Sequence, residues 1–157
     1  MDTQNTGEGM IFPGEWHITY NYSAGPTVSK FFKTLQEEAK IMATKCSNCS
    51  LVMLPPRSYC ERCFEEANDW IVVGDEGTIH SATIIYYKFE GHPEPPFAIA
   101  FVVLDEADTA LVNYIEGIEF SDPRKAARSL KLGSRVKVVY KENREGKMSD
   151  FYYALIE

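Results

Sequence analysis

The four cysteines are the residues of this sequence with the clearest chemistry. They form two Cys-x2-Cys pairs separated by ten residues: Cys46, Cys49, Cys60 and Cys63. Each pair can place two thiolates about 2.3 Å from one metal ion, so two pairs complete a tetrahedral site. Because four protein ligands leave no position for a catalytic water, we predict a structural site for one zinc ion.

Three alternatives to zinc remain open at this stage. Four thiolates also bind iron, in a rubredoxin-type site or an iron–sulfur cluster. Two disulfides would need an oxidising compartment, and residues 1–9 lack the positive start and apolar stretch of a secretion signal. A redox-active Cys-x-x-Cys is the third, although two such pairs close together favour a metal. We therefore expect zinc, in a cytoplasmic protein whose thiols stay reduced.

The hydrophobic pattern predicts the elements that position these cysteines. Residues 28–45 are predicted to be a helix, because their apolar positions recur on one helical face. Residues 46–74 are the predicted zinc ribbon. Residues 75–157 contain five β-like segments with a short helix between the third and the fourth, which is the OB-fold arrangement. The predicted fold is mainly β with one N-terminal helix, a rubredoxin-like zinc ribbon and then a five-stranded OB-fold barrel.

Residues 1–27 are predicted to form an extended arm. The arm is rich in glycine and proline, yet one stretch of eleven residues holds four aromatic side chains: Phe12, Trp16, Tyr20 and Tyr22. A disordered tail rarely carries so many aromatic residues. They either pack back on this chain's own domain or lie across a partner protein. Buried aromatic anchors dominate binding energies, so we predict that Trp16, Tyr20 and Tyr22 bind a partner.

The charge distribution argues against a nucleic-acid partner. The net charge is −7, of which −3 falls in residues 1–27 and −2 in each of residues 28–76 and 77–157. No segment has the basic excess that binding to a phosphate backbone usually requires. No apolar run reaches the roughly 20 residues that span a bilayer. We expect neither nucleic acid nor a membrane among the partners.

Several short motifs taken together resemble a known family. They are Phe31-Phe32-x2-Leu35, Lys45-Cys46-x2-Cys49, Leu54-Pro55-Pro56-Arg57, Tyr59-Cys60-x2-Cys63, Gly77-Thr78, Pro96-Phe97-Ala98 and Leu132-Gly133-x2-Val136. The set extends over residues 28–157 and resembles the zinc-ribbon/OB-fold proteins that accompany thiolases, long catalogued as a domain of unknown function. Residues 18–25 resemble the branch paired with benzoylsuccinyl-CoA thiolase in anaerobic toluene degradation.

The resemblance implies an accessory subunit with no catalytic residues of its own. A thiolase-type subunit would supply the nucleophilic cysteine and the acid/base histidine, and the ribbon and barrel would help form the path for CoA and acyl-CoA. CoA carries phosphates, which bind cations, so the candidates on this path are basic: Arg57, Arg124, Lys125 and Arg128. The alternative roles are bonds to ribbon carbonyls for Arg57 and a solvated helix face for the other three.

Two other function classes remain open. Zinc ribbons and OB-fold barrels also occur as nucleic-acid-binding modules. A stand-alone acyl-CoA-binding protein would share the barrel but need no partner. Co-purification at physiological salt separates both from an accessory subunit of an acyl-CoA enzyme.

Overall fold

A three-stranded sheet is followed by a closed five-stranded barrel in residues 12–156, which a computed structural model describes. The strands in chain order are β1 Met42–Lys45, β2 Val52–Met53, β3 Asp69–Val72, β4 Glu76–Ile85, β5 Phe97–Leu104, β6 Leu111–Glu116, β7 Arg135–Tyr140 and β8 Phe151–Leu155. The helices are α1 Gly25–Glu38 and α2 Pro123–Ser129. The prediction of a mainly β chain with a zinc ribbon before an OB-fold barrel is confirmed. Within the described range, neither helix is long and apolar enough to cross a membrane.

Helix α1 begins earlier and ends earlier than the predicted range 28–45. It starts at Gly25, with Pro26 in its first turn, where a missing N–H costs nothing. It ends because Ala39 adopts a left-handed backbone with φ 51°. Residues 42–45, predicted to be helical, instead form β1, which pairs with β2 on one side and β3 on the other. The backbone hydrogen bonds of this central strand override the helical spacing of its apolar side chains.

The ribbon sheet docks on the hairpin between β5 and β6. The Asp108 carboxylate accepts the Val52 amide at 2.8 Å, and the Asp108 amide donates to the Val52 carbonyl at 2.9 Å. The Thr109 hydroxyl accepts the Leu54 amide at 2.7 Å and donates to the Leu54 carbonyl at 2.8 Å. These bonds satisfy backbone groups of the buried strand β2 and fix the ribbon at one end of the barrel.

The barrel closes in the order β4-β5-β6-β8-β7, with β7 pairing back to β4. All of its pairs are antiparallel except β6 with β8. Gly77 lies where β4 is paired on both sides, and a Cβ there would sit 2.5 Å from the Val103 carbonyl oxygen. Only glycine fits this close approach of two backbones. The Gly77-Thr78 motif of the sequence is therefore a requirement of barrel closure.

A tight loop before β8 ties helix α1 to the barrel. The buried Asp150 carboxylate accepts three backbone N–H groups with one oxygen at 2.7 to 3.0 Å: those of Glu145, Gly146 and Lys147. Burial opposes ionisation of Asp150, but these three donors outweigh it and hold its pKa below the ordinary value. In the same loop the Arg144 Nε donates to the Gln36 carbonyl at 3.1 Å, which satisfies a backbone group near the end of α1.

Replacing Asp150 by asparagine is expected to destabilise the fold by about 2 kcal/mol, because a carboxylate bonded to buried donors is lost. The wild type should be most stable above the unfolded pKa of about 3.9 and lose this contribution as pH falls through the lower folded pKa. Chemical denaturation of both proteins between pH 3 and pH 7 checks this. Glu142→Gln, an exposed carboxylate of the same loop, should change neither the stability at neutral pH nor its pH dependence.

Candidate metal centre and barrel cavity

Two chain reversals of the same geometry bring the four cysteines together. In the first, the Ser50 amide donates to the Cys46 carbonyl at 2.9 Å, and in the second the Phe64 amide donates to the Cys60 carbonyl at 2.9 Å. Ser50 and Phe64 both have a left-handed backbone, with φ of 59° and 60°. Each reversal turns the two sulfurs of its Cys-x-x-Cys pair toward the other pair. We call these two reversals the first knuckle (residues 46–50) and the second knuckle (residues 60–64).

The sulfur positions match a tetrahedral metal site. The Sγ–Sγ distances are 3.4 Å for Cys46–Cys63, 3.5 Å for Cys49–Cys60 and 3.8 Å for Cys49–Cys63, and all four atoms lie within 4.8 Å of one another. Four bonds of about 2.3 Å to one ion give a sulfur–sulfur edge of about 3.8 Å. A disulfide needs about 2.05 Å. The structure therefore has a four-cysteine site that fits a structural metal ion, and it does not pair these thiols.

A metal requires thiolates, and the environment favours this form at Cys46 and Cys60. Cys46 and Cys60 are buried, at 0% and 1% exposure. Burial opposes ionisation of Cys60, but the backbone N–H groups of Arg62 and Cys63 outweigh it and lower the pKa of Cys60 to about 6. The Arg62 amide lies 3.4 Å from the Cys60 sulfur. The N–H of Cys49, foremost, likewise lowers the pKa of Cys46. At Cys49 the Leu51 N–H is outweighed by burial and the three neighbouring thiols, which raise the pKa of Cys49 to about 11.

Arg57 lies on the ribbon beside the second knuckle. Its backbone is fixed by the buried Thr44 hydroxyl, which accepts the Arg57 amide and donates to the Arg57 carbonyl, both at 2.9 Å. Its guanidinium forms an ion pair with the carboxylate of Glu61, and both side chains are about half exposed. Arg57 thus presents a partly neutralised charge to solvent.

The cations of α2 lie elsewhere, on the side of the barrel. Asp122 caps this helix by accepting the amides of Arg124 and Lys125. Arg124, Lys125 and Arg128 are exposed, and Lys125 Nζ bonds Glu119 at 2.8 Å. The helix borders a cleft of about 320 Å³ against residues 82–84 of β4 and Tyr86, just beyond the end of that strand.

Arg57 and the α2 cations therefore do not form one cluster. The strand register pairs Ile84 and Ile85 with Ala98 and Phe97, at the end of β5 opposite to the hairpin on which the ribbon docks. Strand β5 has eight residues, which correspond to roughly 26 Å at about 3.3 Å per residue. A molecule that contacted both sets of cations would have to extend along the barrel.

The aromatic side chains of the arm are exposed where the structure describes them. Residues 12–24 have no regular secondary structure, and Trp16, Tyr20 and Tyr22 are 83%, 72% and 82% exposed. Tyr20 and Tyr22 contact each other, with ring centroids 6.3 Å apart. In residues 12–156, the arm side chains do not join the buried core of the ribbon or the barrel. Residues 1–11 of the predicted arm lie outside the described range.

A cavity of about 550 Å³ opens at the barrel end opposite to the ribbon. Its wall is mainly apolar and aromatic, with contributions from Phe97, Tyr114, Ile118 and Phe120. Lys141 and Ser149 add polar groups from the two sides of the loop before β8. The volume and the mixture of apolar walls with few polar groups are typical of small-molecule sites. In OB folds the loops at the ends of these strands commonly bind ligands.

His92 lies in the proline-rich loop of residues 90–96, and its aromatic cluster was not predicted from the sequence. The loop carries the ring to the cavity mouth, where His92 Nδ1 lies 2.9 Å from the Tyr114 hydroxyl. The imidazole stacks on Phe97 with centroids 6.0 Å apart and meets Phe89 edge-on at 6.3 Å. The sequence signal was the aromatic content of residues 86–97, but pairing with β6 is needed to bring Tyr114 to the same place.

Comparison with protein families identifies the two domains. The ChsH2 rubredoxin-like zinc ribbon domain matches residues 37–69, and the ChsH2 C-terminal OB-fold domain matches residues 70–141. The two matches are adjacent in the chain and together cover more than half of its 157 residues. The chain belongs to the ChsH2 (DUF35) family. The ChsH2 boundary at residue 69 falls within the ribbon sheet, at the first residue of β3.

Two solved structures are similar to this ChsH2-type chain. One, described as an Ltp2-ChsH2(DUF35) aldolase, is 18% identical with a TM-score of 0.62, covering 86% of this chain and 97% of the other. The second is a DUF35 family protein of unknown function from Sulfolobus solfataricus, 28% identical with a TM-score of 0.62, covering 84% and 87%. No curated protein sequence matches the chain.

Proposed function

We propose that this chain is a non-catalytic subunit that associates with a thiolase-type subunit and helps form its path for CoA and acyl-CoA. The observation that carries the proposal is the exposed aromatic arm on a chain with the ChsH2 domain pair. Trp16, Tyr20 and Tyr22 lie within seven residues at 72% to 83% exposure, and Tyr20 contacts Tyr22; clustered exposed apolar side chains of this kind indicate an interaction site. One structural relative, described as an Ltp2-ChsH2(DUF35) aldolase, supports a partner that is an enzyme subunit.

The proposed reaction of the complex is thiolytic cleavage of a 3-oxoacyl-CoA such as benzoylsuccinyl-CoA. All four cysteines of this chain belong to the metal site, so the nucleophilic thiol of a thiolase has to come from the partner. The proposed metal is zinc, which accepts four thiolates in a closed tetrahedral site and lacks redox chemistry. Its role is to hold the two knuckles and thereby the ribbon in position.

The proposed path uses two regions of this chain. The phosphates of CoA would bind near the exposed cations, Arg57 on the ribbon or Arg124, Lys125 and Arg128 on α2. The acyl group would enter the apolar cavity at the barrel end, which is near the α2 end of β4 by register. The α2 cations are therefore better placed than Arg57 to bind the phosphates of a CoA molecule whose acyl group lies in this cavity.

Filling the cavity is expected to impair catalysis without preventing assembly. Ile118 is half-buried in the cavity wall, and Ile118→Trp would place an indole in the space proposed for the acyl group. We expect kcat/KM of the complex for acyl-CoA to fall at least tenfold, whereas its affinity for the partner stays unchanged. Leu132→Trp is the control, because Leu132 is 64% exposed and lies outside the cavity wall. An unchanged kcat/KM for Ile118→Trp would contradict the acyl path.

Co-expression with a thiolase-type subunit tests the function as a whole. The complex should cleave a 3-oxoacyl-CoA with CoA as the acceptor, and the isolated chain should show no thiolysis. Retro-aldol cleavage by the complex, without consumption of CoA, would mean that the partner is an aldolase rather than a thiolase. The accessory role of this chain would stand. Micromolar binding of acyl-CoA by the isolated chain, with no association with any partner subunit, would instead indicate a stand-alone acyl-CoA-binding protein.

A further inference from the structure

Phe64 places a large exposed ring at a position whose left-handed backbone the second knuckle requires. Its φ of 60° is in the left-handed region, which glycine adopts freely and which Cβ sterics disfavour for other residues. Its ring is 82% exposed, so no burial within the described residues offsets that cost. Ser50, at the matching position of the first knuckle, has the same φ but a small polar side chain. A strained residue that is kept at the surface indicates a role outside the chain.

The second knuckle lies beside the root of the aromatic arm. The base of the knuckle is the bridge between Tyr59 and Glu66, and Tyr59 is itself 59% exposed. The neighbouring Ser58 hydroxyl lies 2.7 Å from the Thr27 hydroxyl, in the first turn of α1, directly after the arm. The arm therefore leaves the folded part of the chain next to this knuckle. A partner that binds the arm is within reach of Phe64.

Charged residues flank Phe64 in the chain. Glu65 directly follows Phe64, and Glu66 follows next; both are exposed, and in the described residues neither is in an ion pair. Arg62 is the nearby cation, and the Arg57 charge is partly neutralised by Glu61. The border of the ring is acidic overall. A complementary surface would be an apolar pocket bordered by basic side chains.

We infer that Phe64 is a second anchor for the partner subunit: the second knuckle inserts this ring into an apolar pocket of the thiolase-type subunit that the arm also binds. This inference rests on the proposed function. It also gives the metal site a role in binding, because a rigid knuckle holds the Phe64 ring in one position. Anchors of this kind lie in desolvated pockets, and aromatic residues are enriched at such interfaces.

The test compares Phe64→Gly with the matched substitution Ser50→Gly in the full chain. Glycine relieves the left-handed backbone in both knuckles, so both variants should keep their metal and melt at or above the wild-type temperature. With a purified thiolase-type subunit as the probe, Phe64→Gly should weaken binding more than tenfold, and Ser50→Gly should bind as the wild type does. Phe64→Asn, which also tolerates this φ, repeats the test if the glycine variant loses metal.

The outcomes are distinct. Wild-type affinity in both Phe64 variants, with metal retained, would overturn the inference and leave the proposed function standing. If the wild type itself fails to bind any thiolase-type subunit, the proposed function fails and this inference with it. Weaker binding of Phe64→Gly than of the wild type supports the pocket. If Glu65→Gln in addition makes the affinity depend less on salt concentration, the basic border of the pocket is supported as well.

Discussion

Replacing Cys60 by serine is expected to release the metal and unfold the ribbon. A structural four-cysteine site contributes its binding energy to folding, on the order of 10 kcal/mol in zinc-finger peptides. Cys60 is buried at 1% exposure in the second core cluster, which also contains Cys46, Leu51 and Met53. A hydroxyl there loses one metal ligand and leaves a polar group among apolar side chains.

Elemental analysis and thermal melting check this expectation. The wild type should contain one zinc ion per chain, and Cys60→Ser should contain far less and melt at a much lower temperature. Ser47→Ala, inside the first knuckle but not a ligand, should retain the metal and the stability. A Cys60→Ser protein with full metal content and an unchanged melting temperature would show that the four thiols do not act as one site. If the protein contains iron in place of zinc, the identity of the metal is corrected, whereas the four-cysteine site itself stands.

Removing the aromatic rings of the arm is expected to weaken the complex by more than tenfold. Buried aromatic anchors contribute about 2 kcal/mol or more each, and about 1.4 kcal/mol corresponds to a factor of ten in affinity. The triple substitution of Trp16, Tyr20 and Tyr22 by alanine should leave the metal content and the melting temperature unchanged. The reason is that all three rings are exposed and do not pack on the core.

The matched control for the arm replaces interleaved polar residues, Thr19 and Asn21, by alanine. Calorimetric titration against the thiolase-type subunit should give wild-type affinity for this control and a dissociation constant at least ten times higher for the aromatic variant. Equal affinities for the two variants would mean that the arm does not bind the partner. A triple variant that aggregates while its folded fraction binds normally would assign the rings to this chain's own core.

The order of the five barrel strands and the helix α2 was predictable from the sequence because its signals there were local. The continuous apolar run of residues 97–104 coincides with β5, and Ser121-Asp122-Pro123 marks the start of α2, where Asp122 rather than Ser121 is the cap. The end of α1 was not predictable from spacing, because Ala39 has no intrinsic preference for a left-handed backbone. The strand β1 was missed for a related reason: its pairing with β3, 26 residues away at Thr44–Trp70 in register, is not encoded locally.

The metal site was predictable to the residue, whereas the cavity was not. Two Cys-x2-Cys pairs fix the ligands because the spacing itself makes the knuckle. The cavity joins residues from five separate segments between Gly91 and Tyr152, and the contact of His92 with Tyr114 depends on the barrel register. The loop tied by Asp150 was also missed, since one carboxylate that accepts three nearby amides has no distinctive sequence pattern.

Reconstitution of a thiolase-type subunit with and without this chain tests the central claim most directly. The measurement is CoA-dependent cleavage of a 3-oxoacyl-CoA such as benzoylsuccinyl-CoA, with the mass of the complex determined in the same sample. The account predicts that the partner is inactive or nearly so alone, gains activity as the chain is added, and saturates at a fixed stoichiometry with one zinc ion per chain. A partner that is fully active alone and forms no complex at micromolar concentrations would contradict it.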